Sequence, residues 1–218
     1  MKAQKLLSVA LLLCLAGFVG ASLPAQAQSK ESAKVLKENR QLGKKIDKAK
    51  KAIQDNKKAL DSALSDYNAL VDGKASNPTK AHAKLVKVAA ALEKASSKRR
   101  SNVDAMRSGI QTFFKSWENE LDTYASPDLR TASEERLRVA RERHDQLENE
   151  VARLSAQYGQ YLISFSDHLR YMGRDLSPNA LLGLSGETAR FNGEAGQLNE
   201  QIRVVLERIT EMQTTLNP

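Results

Sequence analysis

The feature that most constrains this 218-residue chain is a seam of apolar side chains recurring in alternating steps of three and four residues. Four stretches keep this period, and three short segments rich in Gly, Ser, Asn, Asp and Pro separate them. In the last two segments Ser126 precedes Pro127 and Ser177 precedes Pro178, a pattern typical of a helix N-cap and first turn. The period therefore predicts four long helices, over about 30–71, 79–124, 128–174 and 178–215.

The short breaks make successive helices antiparallel. The seams thus predict an all-α fold, an elongated antiparallel four-helix bundle with coiled-coil-like heptad packing, as one domain over residues 28–218. Hairpins completed by another chain would bury the same seams, so a homo-oligomer stays open. An aromatic share of 5%, with 11 Gly and 5 Pro, disfavours a β-sandwich or barrel and suits long helices.

Some seam positions carry polar or aromatic residues. Asn39 and Asn56 either set the register or face a solvated edge of the seam. The period of the second helix is lost across residues 98–101. In an antiparallel bundle the aromatic residues gather toward two ends: Tyr67, Tyr161, Phe165 and Phe191 at one, Phe113, Trp117 and Tyr124 at the other. Core filling is the simplest interpretation, since no polar groups are expected to converge there.

The first 27 residues have the pattern of an export signal. Lys2 and Lys5 precede an apolar run, and Ala25-Gln26-Ala27 follows as a small-residue cleavage pattern. We expect cleavage after Ala27, with an uncleaved N-terminal anchor as the alternative. The only cysteine, Cys14, lies in this segment, so the mature chain would have none. We therefore expect the periplasm of a Gram-negative bacterium, with no transmembrane segment in the mature chain.

The patterns of common catalytic and metal sites are missing from the sequence. The residues three positions before His82, His144 and His168 are Thr, Arg and Phe, so the Glu-x-x-His pairs of di-iron bundles are not present. No Gly-x-Ser-x-Gly elbow or phosphate loop occurs, and residues 183–188 fit a helical stretch with two small residues. We expect no enzyme, no catalytic residue, no metal and no cofactor.

Charge is the distinctive surface feature. Residues 28–110 contain 20 basic and 9 acidic residues, whereas residues 111–218 contain 12 and 17. Lysines of the first two helices keep helical spacing away from or beside the seams, and the docking candidates among them are Lys37, Lys44, Lys48, Lys51, Lys58, Lys84, Lys87 and Lys94. They form either a solvated face or a docking face for an anionic partner. The export signal and the lack of interleaved aromatic residues disfavour nucleic acid.

One ordered aromatic and acidic cluster resembles a known family. It consists of Phe114, Trp117, Glu118, Glu120, Leu121 and Tyr124, and it leads through Ser133 to Leu137 and Leu147. This cluster resembles the bacterial family catalogued as domain of unknown function 2959, over roughly residues 30–209. The chain departs from the family pattern at Gly173-Arg174-Asp175, where the family has Lys-His-Asn. The resemblance implies export and a helical fold and adds no reaction.

Two functions remain. The first is a non-enzymatic periplasmic scaffold or interaction protein with an unknown partner. The second is a binding protein for anionic envelope components, such as lipid headgroups or lipopolysaccharide, or for client proteins, through the lysine-lined helices.

Overall fold

The protein is described by a computed structural model, which covers the backbone of residues 25–216 and the side chains of residues 33–216. The first 24 residues of the expected export signal lie outside the described residues. The chain divides after Lys37 into two compact units. The bundle below is the second unit, and residues 25–37 of the first are helical.

The described residues contain helices and no strand. There are three long helices, a short fourth and a long fifth: α1 Ala25–Val71, α2 Pro78–Leu121, α3 Pro127–Met172, α4 Pro178–Leu182 and α5 Ser185–Leu216. The all-α prediction is confirmed. The bounds of the first three helices lie within a few residues of those predicted.

The helix ends follow from local hydrogen bonding. Ser126 and Ser177 accept hydrogen bonds from the backbone N–H groups of Leu129 and Ala180, with Pro at the first helical position in both cases. The two N-caps predicted from the sequence are thus confirmed. At the end of α1, Gly73 adopts a φ of 70°, and its N–H and that of the next residue bond back to the last turn. Glycine adopts this left-handed conformation without steric cost, so the helix stops there.

Within residues 38–216 successive long helices run antiparallel. Contacts between α1 and α2 and between α2 and α3 fix this direction: Glu38 with Ser116, Asp66 with Lys84, His82 with Leu169, and Arg107 with Glu148. The helix α5 runs antiparallel to both α3 and α1, and the contacts that show this are Glu150 with Gln201, His168 with Phe191, Lys50 with Gln213, and Asp61 with Asn199. The helix α5 therefore closes a four-helix bundle within this chain.

The last helix is not continuous, so the prediction of one helix over 178–215 is wrong. Gly183 and Leu184 lie between α4 and α5, where the N–H of Gly183 bonds to Asn179 O and that of Leu184 to Leu181 O. The bond of Leu184 reaches back only three residues, so it ends α4, and both Leu181 and Leu184 lie in the core, at 4% and 5% exposure. Gly183 thus marks the break, whereas Gly186 lies in α5, so the predicted helical stretch over residues 183–188 holds only from Ser185 onward.

The seam of α2 also differs from the prediction. The period does not lapse across residues 98–101, because Ser96 and Arg99 occupy core positions between Leu92 and Val103. Arg99 is 2% exposed, and Ser96 is 1% exposed. The core thus contains a fully buried cation near the middle of α2.

Candidate functional site

The eight predicted docking lysines are all exposed on α1 and α2. Lys37 belongs to the first unit, and we call the seven in the bundle the lysine face: Lys44, Lys48, Lys51, Lys58, Lys84, Lys87 and Lys94. Lys51 pairs with Asp55 at 3.3 Å and Lys84 with Asp66 at 2.7 Å. The remaining lysines of the face form no hydrogen bond or ion pair with any described residue. Their ammonium groups are available to an anion.

Most arginines of α3 and α5, unlike these lysines, form ion pairs with carboxylates. Seven of them pair with an Asp or Glu three or four residues away on the same helix: Arg130, Arg138, Arg153, Arg170, Arg190, Arg203 and Arg208. Such i,i+3 and i,i+4 pairs neutralise each other locally. Seven of the ten arginines of α3 and α5 are therefore matched on their own helix, whereas five of the seven lysines of the lysine face have no carboxylate partner.

The family-like cluster joins the end of α2 to the start of α3. Phe114 and Leu121 are buried, at 5% and 9% exposure. The half-buried Trp117 donates through Nε1 to Ser133 Oγ at 2.8 Å, and the guanidinium of Arg136 lies over its ring at 5.5 Å. This tryptophan thus fixes α3 against α2 near their connecting turn.

The acidic members of the cluster are also bound within the protein. Glu118 forms an ion pair with Arg141 of α3 at 2.5 Å, and Glu120 accepts a hydrogen bond from the Tyr124 hydroxyl at 3.0 Å. Tyr124 lies three residues beyond the end of α2, so its predicted place in that helix is wrong. The contacts of the cluster are structural, because each polar group is matched by a neighbour in the fold.

A polar layer crosses the core at the level of Arg99. Asn56 of α1, 1% exposed, donates through Nδ2 to the Tyr158 hydroxyl of α3 at 2.8 Å. The guanidinium of Arg99 lies over the ring of Tyr158, 5.0 Å from its centroid. Burial lowers the pKa of Arg99 and raises that of Tyr158, although Asn56 and Arg99 partly offset the shift at the tyrosine. Asn56 therefore lies in the core, and the expectation of a solvated edge is wrong for it.

A second polar group lies in the aromatic cluster at one end of the bundle. The Tyr67 hydroxyl lies 2.7 Å from His168 Nδ1 and 3.1 Å from Thr188 Oγ1. Phe165 and Phe191 pack around them, with the Phe191 ring 4.9 Å from those of Tyr67 and His168. The predicted gathering of aromatic residues is confirmed, but the expectation that nothing polar converges there is wrong.

The surroundings of His168 make the stability of the bundle depend on pH. Desolvation is the main cause that lowers the pKa of His168 below its ordinary 6.5, and the nearby charges are Glu187, Arg190, Glu194 and Asp167. The unfolded chain then binds this proton more readily than the folded one. The contribution of His168 to the free energy of unfolding is thus fully present above about pH 6.5 and is lost as the pH drops from there toward the folded-state pKa.

We expect thermal melts of the wild-type chain to show this loss between pH 7.5 and 5.5, with a slope of at most about 1.4 kcal/mol per pH unit from this group. The variant His168→Gln lacks the titrating ring, so its melting temperature should depend less on pH over the same range. Both proteins keep His82 and His144, so the difference between their two pH slopes reports His168 alone. Equal pH slopes in the two proteins would show that His168 does not contribute.

The described residues contain no cluster of side chains with the composition of a metal site. A search of them for three or more clustered His, Cys, Asp or Glu side chains found none. The groove between α2 and α3, about 340 Å³ in volume, is lined mostly by charged side chains, among them Glu118, Arg138, Arg141 and Glu142. These four are already joined in ion pairs. No helix in the described part of the chain is both long and apolar enough to cross a membrane.

Arg99 was not predicted from the sequence as a core residue. The spacing of the seam does indicate a core position for Arg99. Ser96 and Arg99 follow Leu92 in steps of four and three residues, and Val103 follows after four more, so the period of the seam continues through them. A charged residue at such a position is normally read as an interruption, because lone buried charges are rare.

The comparisons with known proteins agree with the family resemblance of the cluster that joins α2 to α3. A model of the family described as "Protein of unknown function (DUF2959)" matches residues 28–215. Neither the search of curated proteins nor that of solved structures found a match. The matched range contains the five helices except residues 25–27 of α1 and the last residue of α5. The chain therefore belongs to the DUF2959 family of proteins of unknown function.

Proposed function

We propose that this protein is an exported, non-catalytic helical interaction protein that binds anionic surfaces of the bacterial envelope through its lysine face. The observation that carries the proposal is the contrast in pairing. The lysines Lys44, Lys48, Lys58, Lys87 and Lys94 are exposed without a carboxylate partner, whereas seven of the ten arginines of α3 and α5 are matched along their own helices.

The pairing matters because an ammonium group already bound to a carboxylate gains little from a second anion. An unmatched lysine near an anionic membrane gains about 1 kcal/mol. The 20 basic and 9 acidic residues of positions 28–110 add a field of the same sign. The export part of the proposal is supported by the signal-like pattern before Gln28, the residue at which the family match begins.

Vesicle binding tests the proposal. The purified full chain should sediment with vesicles containing phosphatidylglycerol and phosphatidylcholine, and binding should fall steeply between 50 and 300 mM salt as screening shortens the reach of the charges (about 14 to 6 Å). The triple variant Lys44→Gln, Lys48→Gln, Lys58→Gln should bind on the order of 100-fold more weakly, because it removes three contributions of about 1 kcal/mol.

Two controls separate charge from side-chain identity. Vesicles of phosphatidylcholine alone should bind neither protein. The triple variant with Arg in place of Gln keeps the charge and should bind as the wild type does. Equal binding to both vesicle types, or an unchanged affinity of the Gln variant, would exclude an anionic lipid surface as the partner.

A further inference from the structure

Two guanidinium groups of α2 meet at one hydroxyl. Arg99 Nη2 lies 3.4 Å from Ser96 Oγ, and Arg100 Nη1 donates to the same oxygen at 3.1 Å. Arg100 Nη2 donates to Ser97 Oγ at 3.0 Å. A hydroxyl oxygen can accept two hydrogen bonds but carries no charge. Two cations therefore share neutral acceptors.

No carboxylate among the described residues forms an ion pair with either arginine. Arg99 is 2% exposed, and its Nε is a buried donor without a partner. A buried cation without a counter-charge is costly, because one hydroxyl and the face of one aromatic ring replace only part of the hydration that burial removes. The site thus has unused donors and an excess of positive charge.

The neighbouring helix supplies no acid at this level either. Arg107, one heptad after Arg100 on α2, pairs with Glu148 of α3 at 2.7 Å. One heptad along α3 from Glu148 stands Ser155, which is half-buried. Because α2 and α3 are antiparallel, this register places Ser155 opposite Arg100, just as Glu148 lies opposite Arg107 one heptad away. A hydroxyl replaces the acid at this point of the repeat.

We propose that Arg99, Arg100, Ser96 and Ser97 form a binding site for one phosphate-type oxyanion at the edge of the α2–α3 interface. Arg100, which is exposed, makes the first contact through its planar pair of donors, which fits a tetrahedral oxyanion. Arg99 supplies the buried charge beneath it. The serine hydroxyls turn from accepting to donating when the anion takes over the guanidinium hydrogen bonds.

The proposed oxyanion site is separate from the lysine face and shares no residue with it. Arg100 lies one heptad from Arg107, on the side of α2 that meets α3, whereas Lys84 of the lysine face contacts Asp66 of α1. Lipid binding and oxyanion binding can therefore fail separately.

Calorimetric titration of the full chain with inorganic phosphate tests the site, in chloride buffer of constant ionic strength at pH 7.5. We expect saturable binding of one phosphate, with a Kd on the order of 1 mM, and weakening of about tenfold or more in Arg100→Gln. Arg107→Gln removes the same charge from the same side of α2 and should retain the wild-type affinity within about twofold, because Arg107 is already matched by carboxylates. Arg99→Met should abolish phosphate binding. If Arg99→Met does not fold, the affinity of Arg100→Gln alone tests the proposal.

A parallel titration with glycerol 3-phosphate distinguishes free phosphate from a phosphate monoester of the kind found in lipid headgroups. Tighter binding of the monoester would assign the site to a headgroup, and tighter binding of inorganic phosphate would assign it to the free ion. Absence of saturable binding by both ligands, or equal affinities in the wild type and Arg100→Gln, would overturn the proposal.

Discussion

Replacing Phe191 by alanine is expected to lower the free energy of unfolding by about 3–5 kcal/mol, the largest effect of any single change considered for this bundle. Phe191 is 1% exposed, and its ring centroid lies within 4.6–5.7 Å of those of Tyr161, Phe165 and His168. Truncation leaves a cavity that the surrounding rings cannot fill. The ring also contacts Tyr67 of α1 at 4.9 Å, so its removal loosens three helices together.

Urea unfolding followed by circular dichroism measures this loss. A matched control is Ile163→Ala, since Ile163 is also an apolar residue of a long helix but is 58% exposed. That change should alter the free energy of unfolding by no more than about 0.5 kcal/mol. A loss below about 1 kcal/mol for Phe191→Ala would contradict the closed aromatic cluster, because a ring buried among three helices cannot be removed at so small a cost.

Arg99→Met is expected to raise the free energy of unfolding by about 1–3 kcal/mol in phosphate-free chloride buffer. Replacing buried ionic groups with apolar side chains of similar size is often neutral or stabilising, and Arg99 lacks even an ionic partner among the described residues. Methionine is flexible enough to fill the irregular space. The lost interaction with Tyr158 offsets part of the gain, since a cation over an aromatic ring contributes about 0.5–2 kcal/mol.

The comparison variant is Arg100→Met, which makes the same chemical change at an exposed neighbour. It should change the free energy of unfolding by no more than about 0.5 kcal/mol. If Arg99→Met instead destabilised the protein by more than 1 kcal/mol, the guanidinium would be making favourable contacts that the described geometry lacks.

The helices could be predicted because their causes are local. The period of the seams and the Ser-Pro starts at Ser126 and Ser177 depend on residues close in sequence, and the structure confirms both. The break at Gly183 could not be predicted in the same way. It depends on Leu184 turning into the core, a tertiary contact that no short pattern records.

The lysine face was predictable for the same reason, since helical spacing alone places Lys44, Lys48 and Lys58 away from the seam. The pairing of the arginines was also readable, because Arg138 stands three residues after Glu135 and four before Glu142. The polar layer of the core could not be predicted from the sequence. Its contact between Asn56 and Tyr158 joins residues 102 positions apart, and only the bundle register brings them together.

The most direct test of the central claim, that unpaired lysines bind an anionic surface, is a charge-matched comparison on phosphatidylglycerol vesicles. One variant carries Gln at Lys44, Lys48 and Lys58, and the other carries Gln at Arg138, Arg153 and Arg203, which pair along their own helices. Both lose three positive charges. We predict that the lysine variant binds at least about tenfold more weakly than the arginine variant. Equal affinities would contradict the claim, because binding would then follow net charge rather than the lysine face.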